Sequence, residues 1–324
     1  MYDVVALGEL LIDFTPAGWS DQQHPLYAQN PGGAPANVLA CLNKLGHRTA
    51  FIGKVGQDQF GESLKAHLAA AGIDTQGLVL TRQCPTTLAF VHLSARGDRS
   101  FSFYRNPGAD LLLQADEVRL DLIDTCRIFH FGAVSLTGEP ARSATLAAVH
   151  HARTHGRLIS FDPNLRLMLW DSVEDARRTV LAVLPVVDML KISEEELQVL
   201  TGETDLECGG RWLLQAYPLL QLVLITLGPD GAFAMNAQAS CRHPAFAVNT
   251  IDTTGAGDAF TGGILHQVLR LDKPVAACTA ADLERFLAFA NAAGSLATTR
   301  RGAIPAMPDL AEIEDCLAHT ALLT

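Results

Sequence analysis

The chain has 324 residues, enough for one large α/β core or for two ordinary domains. Apolar residues make up 48% and charged residues 18%, which excludes a disordered chain. With 24 basic against 35 acidic side chains the formal charge is -11, the wrong sign for a surface that neutralises nucleic-acid phosphates or docks on anionic lipid.

The first predicted strand, Val4 to Leu7, follows an acidic Asp3 without the basic stretch and cleavage motif of a secretory signal, so a cytoplasmic location is expected. Further strands are expected at Ala50 to Gly53, Arg127 to Phe131, Leu158 to Asp162, Met189 to Ile192 and Leu222 to Thr226. Helices are expected between them at Ala36 to Leu45, Gly61 to Ala71, Ala141 to His155 and Glu194 to Thr201, then at Gly257 to Leu269 and Asp282 to Thr298. Such alternation predicts right-handed βαβ units in a doubly wound, mainly parallel sheet. Two segments break it, about 12–27 and about 86–104; in the second, two strand-like runs flank Ala95-Arg96-Gly97-Asp98 as a hairpin. They predict a small antiparallel β lid inserted into a single domain spanning 1–324. Leu88, Phe90, Phe101 and Phe103 give this flap an apolar face, so it is expected to form a homodimer, the simpler outcome being that it folds onto its own domain. No apolar run approaches the length of about 18 to 20 residues needed to span a membrane. The seven cysteines are scattered without a Cys-x-x-Cys, which predicts buried, reduced thiols rather than disulfides or a zinc site.

The motif most able to carry chemistry is Asp252-Thr253-Thr254-Gly255-Ala256-Gly257-Asp258-Ala259-Phe260-Thr261-Gly262-Gly263, which leads into an apolar helix. Amides of Gly255, Ala256 and Gly257 at a helix amino terminus would form an anion site. Asp258 beside that site suits a general base taking the proton of an attacking hydroxyl, although an Asp there can also serve as a helix cap. A second cluster, Pro31-Gly32-Gly33-Ala34-Pro35-Ala36-Asn37, offers close backbone approach and a side-chain amide for hydroxyls, or simply a turn and its cap. Asp13 lies just past the first strand, where ligands of parallel sheets collect. His151 and His155 are four apart on a predicted helix and can grip a metal in principle, but the sequence places no third ligand near them. There is no P-loop motif, and no Gly-x-Gly-x-x-Gly follows the first strand.

Through these two glycine regions the chain resembles the PfkB carbohydrate kinases, of ribokinase-like fold, over nearly its whole length. Gly32-Gly33, Asn37, Gly46 and Gly56 meet the early signature, with Leu39 where a small residue is usual; Asp252 to Leu265 meets the late one. Phe103 to Asp110 and Phe161-Asp162-Pro163-Asn164-Leu165-Arg166 resemble the fructokinase branch, the second motif being shared with 2-keto-3-deoxygluconate kinases. The resemblance implies an ATP-dependent sugar kinase that phosphorylates a primary hydroxyl, most readily O6 of fructose. The alternatives are a 2-keto-3-deoxygluconate or riboside/nucleoside-type kinase and, from another class, a catalytically silent sugar-binding regulator. It implies Asp258 as base, Gly255, Ala256 and Gly257 as anion hole, and Asp13, Gly32, Gly33, Asn37, Arg105 and Arg166 as sugar contacts. Lys191, Ser193 (where the family usually has Asn), Thr226, Gly228, Gly231 and Asn291 fall on the nucleotide side. Glu196 would act on Mg²⁺ through water. Asp252 and Thr254 would adjoin a monovalent cation, K⁺, completed by carbonyls of a turn matching Ala297 to Ala306; the competing reading pairs Asp252 with Arg300 or Arg301.

Overall fold

The computed structural model describes residues 1–93 and 99–323. The chain begins with β1 (Tyr2–Leu7) and a hairpin of β2 (Leu11–Trp19) and β3 (Pro25–Gly32), then α1 (Ala34–Lys44), β4 (Thr49–Gly56), α2 (Gln59–Ala70) and β5 (Asp74–Thr81). There follow β6 (Leu88–Leu93), β7 (Arg99–Tyr104), α3 (Leu120–Asp124), β8 (Cys126–Gly132), α4 (Ala141–Thr154), β9 (Leu158–Asp162), α5 (Val173–Val183), β10 (Met189–Ser193) and α6 (Glu194–Thr201). The remainder is α7 (Leu206–Ala216), β11 (Leu222–Thr226), β12 (Ala232–Met235), β13 (Ser240–His243), α8 (Ala256–Leu269), α9 (Ala280–Ala297) and α10 (Leu310–His319).

Nine strands form the large sheet in the order β13-β12-β11-β10-β9-β8-β1-β4-β5, parallel from β11 to β5, with β12 antiparallel to both its neighbours. Its strands are apolar on both faces because helices cover both. In β1, Val4 and Ala6 enter the core shared with α1, α2, α8, α9 and α10, whereas Val5 and Leu7 enter the one shared with α3 to α7. The predicted doubly wound sheet is thus present.

The small sheet has the order β3-β2-β6-β7. Its outer pairs are antiparallel, as expected, and the two pairs join through a parallel pairing of β2 with β6. The turn expected at Ala95-Arg96-Gly97-Asp98 lies outside the described residues, as does the side chain of Phe101. Pairing corrects the expected apolar face. Phe103 stands opposite Ala89, whereas Leu88 and Phe90 stand opposite Tyr104 and Ser102, so Phe103 lies on the other face from Leu88 and Phe90. Phe90 instead stacks on Phe14, with ring centroids 4.9 Å apart, and meets Tyr27 and Tyr104 edge-on.

No helix among the described residues is long and apolar enough to cross a membrane. All seven cysteines are unpaired, but only four are buried: Cys84 and Cys241 are partly exposed and Cys208 is exposed, against the expectation of wholly buried thiols.

Candidate active site

Ligand chemistry on a parallel sheet gathers beyond the carboxyl ends of the strands, where the chain leaves regular pairing and helix amino termini point back. There β1 runs into Gly8 and Glu9, β9 ends at Asp162 and β10 at Ser193. A cavity of about 220 Å³ opens at this edge, lined by Glu9, Asp13, Gly33, Asn37, Arg166, Lys191, Gly255, Gly257 and Asp258, with Phe103 contributed by the small sheet. A second cavity of about 280 Å³ is lined by Ser193 and Glu196, and shares Asn164, Arg166 and Lys191 with the first. The two therefore adjoin, with Arg166 and Lys191 between them.

Asp258 sits in the first turn of α8, buried, and its Oδ2 accepts a 2.8 Å hydrogen bond from Nδ2 of Asn37 on α1. Asn37 is thereby a partner of the carboxylate, and its buried Oδ1 has no protein donor. Burial pushes the Asp258 carboxyl up to about 6; the Asn37 hydrogen bond opposes this, Asp162 adds to it, and Lys191 and Arg166 oppose it. Gly255 starts the helix with φ of 80°, a conformation that favours glycine. Gly255 and Gly257 line the cavity. Ala256 is not among the lining residues, and its N–H donates to the Thr253 carbonyl at 3.3 Å.

Across the cavity, the turn from β3 into α1 has no room for side chains. A Cβ on Gly32 would lie 2.2 Å from Oδ2 of Asp13, and one on Gly33, whose φ is 128°, would lie 2.4 Å from the Glu9 carbonyl. Asp13 is raised to about 7 by burial, against the pull of Arg166. Glu9 is raised to about 7 by burial as well; its Oε1 accepts the Ala34 N–H at 3.0 Å, while its buried Oε2 has no partner. Nothing in the sequence patterns marks Glu9 beyond its position after the first strand.

Lys191, on β10, places Nζ 3.1 Å from Oδ2 of Asp162. Burial works to lower the Lys191 pKa, but Asp162, Glu196 and Asp258 hold it above its ordinary value. Thr261 Oγ1 lies 3.2 Å from Oδ2 of Asp162, tying α8 to the same carboxylate. Glu196 completes a capping box at the start of α6, its two oxygens accepting the N–H groups of Leu165 and Ser193. Its pKa is raised by burial and drawn down by Lys191. Arg166 donates to Oδ1 of Asn164 at 2.5 Å, and Asn164 adopts φ of 46°, uncommon outside glycine though tolerated by Asn.

Other predicted site residues stand elsewhere. Arg105 lies behind the cavity wall: it donates to Asp110 at 2.7 Å, to the Thr137 hydroxyl at 2.7 Å and to the Val134 carbonyl at 3.0 Å, and is buried there. Thr226 ends β11 in register with Ser193, and Gly228 and Gly231 flank the next turn, so they share the strand edge but line neither cavity. Asn291 donates to the carbonyls of His243 at 2.8 Å and Pro244 at 3.0 Å, fastening α9 to the end of β13. Asp252 accepts from the backbone and hydroxyl of Thr254 at 2.9 and 2.7 Å, and from the N–H of Gly302 at 3.1 Å. Arg300 pairs with Glu312. Glu9, Phe103, Asp162, Asn164 and Thr261 belong to this region without having been singled out as site residues from the sequence.

Residues 1–310 match the family described as pfkB family carbohydrate kinase. The chain is 44% identical over 312 residues to Fructokinase-1 of Zea mays, an alignment covering 96% of each protein. Fructokinase from Xylella fastidiosa, solved with bound ATP, superposes with a TM-score of 0.87 at 33% identity, covering 98% of this chain and 99% of that one. Fructokinase from Vibrio cholerae O395, solved with fructose, ADP and calcium ion, gives 0.86 at 35% identity with the same coverage. A match that runs through both glycine turns and the whole nine-stranded sheet fixes the assignment: the chain belongs to the pfkB family of carbohydrate kinases and is a sugar kinase.

Proposed function

We propose that the chain is an ATP-dependent fructokinase, transferring the γ-phosphoryl group to O6 of fructose in the cavity between α1 and α8. The observation that carries this reading is the buried Asp258 carboxyl in the first turn of α8, held by Asn37 and raised to about 6. A base acts best when its pKa lies near the working pH, and a helix amino terminus beside it favours the charge of a phosphoryl group. Asp258 accepts the proton of the sugar hydroxyl; the amides of Gly255 and Gly257 face the transferring group. Asp13, the Gly32-Gly33 backbone, the unpartnered Asn37 Oδ1 and Arg166 hold sugar hydroxyls. Arg105 acts from behind, fixing the loop that carries Val134. Fructokinases that match this chain over nearly all its length support the sugar.

The second cavity takes the phosphates, with Lys191, Ser193 and Arg166 at its wall, and the nucleotide extends along the strand ends past Thr226, Gly228, Gly231 and Asn291. Both Glu196 oxygens already accept an N–H, so a hydrated Mg²⁺ held through water fits better than a directly bound one. When bound, Mg²⁺ neutralises phosphate charge. Asp252, whose oxygens accept from Thr254 and from the Gly302 N–H, and Thr254 would adjoin a K⁺, which would steady the loop from Asp252 to Gly255. Residues 1–324 work as one kinase domain with the small sheet as lid, and the outer aromatics of that lid pair two copies. Seven unpaired thiols suit the reducing cytoplasm.

The test is a kinetic panel of fructose, 2-keto-3-deoxygluconate, ribose and a nucleoside with Mg-ATP, run on the wild type and on Asp258→Asn across pH. Fructose should be preferred, wild-type turnover should fall below about pH 6 as Asp258 takes up a proton, and the variant should lose about 10² to 10⁴ in turnover. A folded Asp258→Asn enzyme with near-wild-type turnover overturns the base; preference for another acceptor overturns fructose.

A further inference from the structure

At the opposite edge of the large sheet, where β8 and β9 begin, three side chains meet that the sugar chemistry does not use. His151 lies in the last turn of α4 and His155 is the residue that caps that helix, their rings stacked with centroids 4.0 Å apart. Asp124, the last residue of α3, reaches both: its Oδ1 is 2.6 Å from Nε2 of His151 and 3.8 Å from Nε2 of His155. The two histidines lack a third ligand in the sequence around them; the fold supplies it from 27 residues away, which corrects that expectation. One ligand atom from each of the three falls within 4.8 Å of the others.

We propose that Asp124, His151 and His155 form a binding site for Zn²⁺, using one carboxylate oxygen and both Nε2 atoms, with water completing the shell. Bonds of about 2.0 to 2.2 Å to a tetrahedral ion separate its ligand atoms by about 3.3 Å, a spacing that lies between the two observed N···O distances. Small rotations of exposed side chains reach it. The second observation is the other ring nitrogen of His155: Nδ1 lies 2.9 Å from the His151 carbonyl, so it carries the proton and leaves Nε2 as the acceptor. His67 and His319 make the same contact one turn back, so what sets His155 apart is the second imidazole and the Asp124 carboxylate beside its free Nε2. An ion here bridges α3 and α4 far from the cavities, so its effect falls on stability and not on turnover.

Zn²⁺ titrations by calorimetry, with melting curves, are compared for the wild type, His155→Ala, Asp124→Asn and Cys208→Ser, the last removing an exposed thiol that competes for zinc. Because loss of groups that merely orient a ligand costs about 10- to 100-fold in affinity, loss of a ligand should weaken binding at least about tenfold in the first two variants. Cys208→Ser should bind as the wild type does, all four should share the same turnover, and the zinc-induced shift of each is read against its own zinc-free melting point, since Asp124→Asn also weakens the ion pair with His151. Equal affinity in the wild type and His155→Ala, no binding in the wild type, or loss of binding in Cys208→Ser overturns the proposal.

Discussion

Replacing Glu9 by Gln should make the protein more stable at alkaline than at acid pH relative to the wild type, because it removes a buried charge and keeps the shape. Burial raises the Glu9 carboxyl from 4.5 to about 7 in the folded chain. The folded state therefore holds this proton more tightly than the unfolded state does. That contribution is complete below about pH 4.5 and is lost as pH rises through 7. A shift of about two and a half units at 1.36 kcal/mol per unit is about 3 kcal/mol. Gln does not titrate, and its oxygen can still accept the Ala34 N–H that Oε1 now accepts. The penalty of placing an amide group at the unpartnered Oε2 position is the same at every pH and cancels in the comparison. With an unfolding entropy of about 2.1 cal/mol/K per residue, about 3 kcal/mol over this chain corresponds to about 4 to 5 °C in Tm. Differential scanning calorimetry of both proteins at pH 5 and pH 8 measures the change in Tm difference. A difference that stays constant across that interval would refute the assigned burial of the charge.

Arg105→Ala should lower Tm strongly, since it strands Asp110 inside the protein and breaking a buried pair costs about 3 to 5 kcal/mol, while Arg166→Ala should raise the sugar KM with little change in Tm. Matching KM increases with no loss of Tm in either variant would place both arginines on the sugar. Light scattering should show a dimer that Tyr104→Glu dissociates, because Tyr104 and Trp19 of the lid are 66% and 67% exposed; a wild-type monomer would remove the pairing. Turnover should be higher in K⁺ than in tetramethylammonium at equal ionic strength, with the effect on kcat exceeding that on sugar KM; equal turnover would remove the cation at Asp252.

Periodicity and capping made the large sheet legible. Strands β9 and β11 and helix α6 have the bounds expected from sequence, the helix because the Ser193 capping box starts it and Gly202 ends it. The elements absent from that reading have identifiable causes. In β5, Thr75, Gln76 and Gly77 interrupt the apolar run, and the pairing with β4 shifts register between Ala50 and Ile52. In α7, Gly209 and Gly210 argue against a helix, yet a Cβ at Gly209 would lie 2.7 Å from Leu197, so the glycine is what lets α7 pack on α6. Helix α5 carries its own signals, a Ser172 cap and buried Ala176, Val180 and Val183, and was readable in principle. At the site, motifs gave the residues that need a fixed backbone, Gly32, Gly33, Gly255 and Gly257. Roles that depend on long-range pairing were not legible: Arg105 reads as a ligand fork until Asp110, Thr137 and Val134 occupy it, and Asn37 and Asp258 meet across 221 residues.

The charges around the cavity bear on the role proposed for Asp258 as base. Among the described residues, Glu9, Asp13, Asp162 and Asp258 share this region with Lys191 and Arg166, and Arg105 behind the wall acts on Glu9. Crowded acid and burial together hold Asp258 near 6, so it is ionised at neutral pH yet accepts a proton readily. A phosphoryl group brought to the α8 terminus adds negative charge to a region that already has an excess, and Lys191, Arg166 and the helix dipole offset only part of it. Every carboxylate nearby then becomes a stronger base. In the proposed reaction, proton transfer from the sugar hydroxyl to Asp258 moves the negative charge from the carboxylate to the attacking oxygen, which uses it in the new bond to phosphorus as the bond to ADP breaks, so the net charge of the cavity is unchanged until ADP leaves. In the proposed reaction the same burial and acidity that make the cavity inhospitable to phosphate without a cation keep Asp258 basic enough to take the hydroxyl proton, while Lys191, Arg166 and the α8 terminus face the charge that builds on the transferring group.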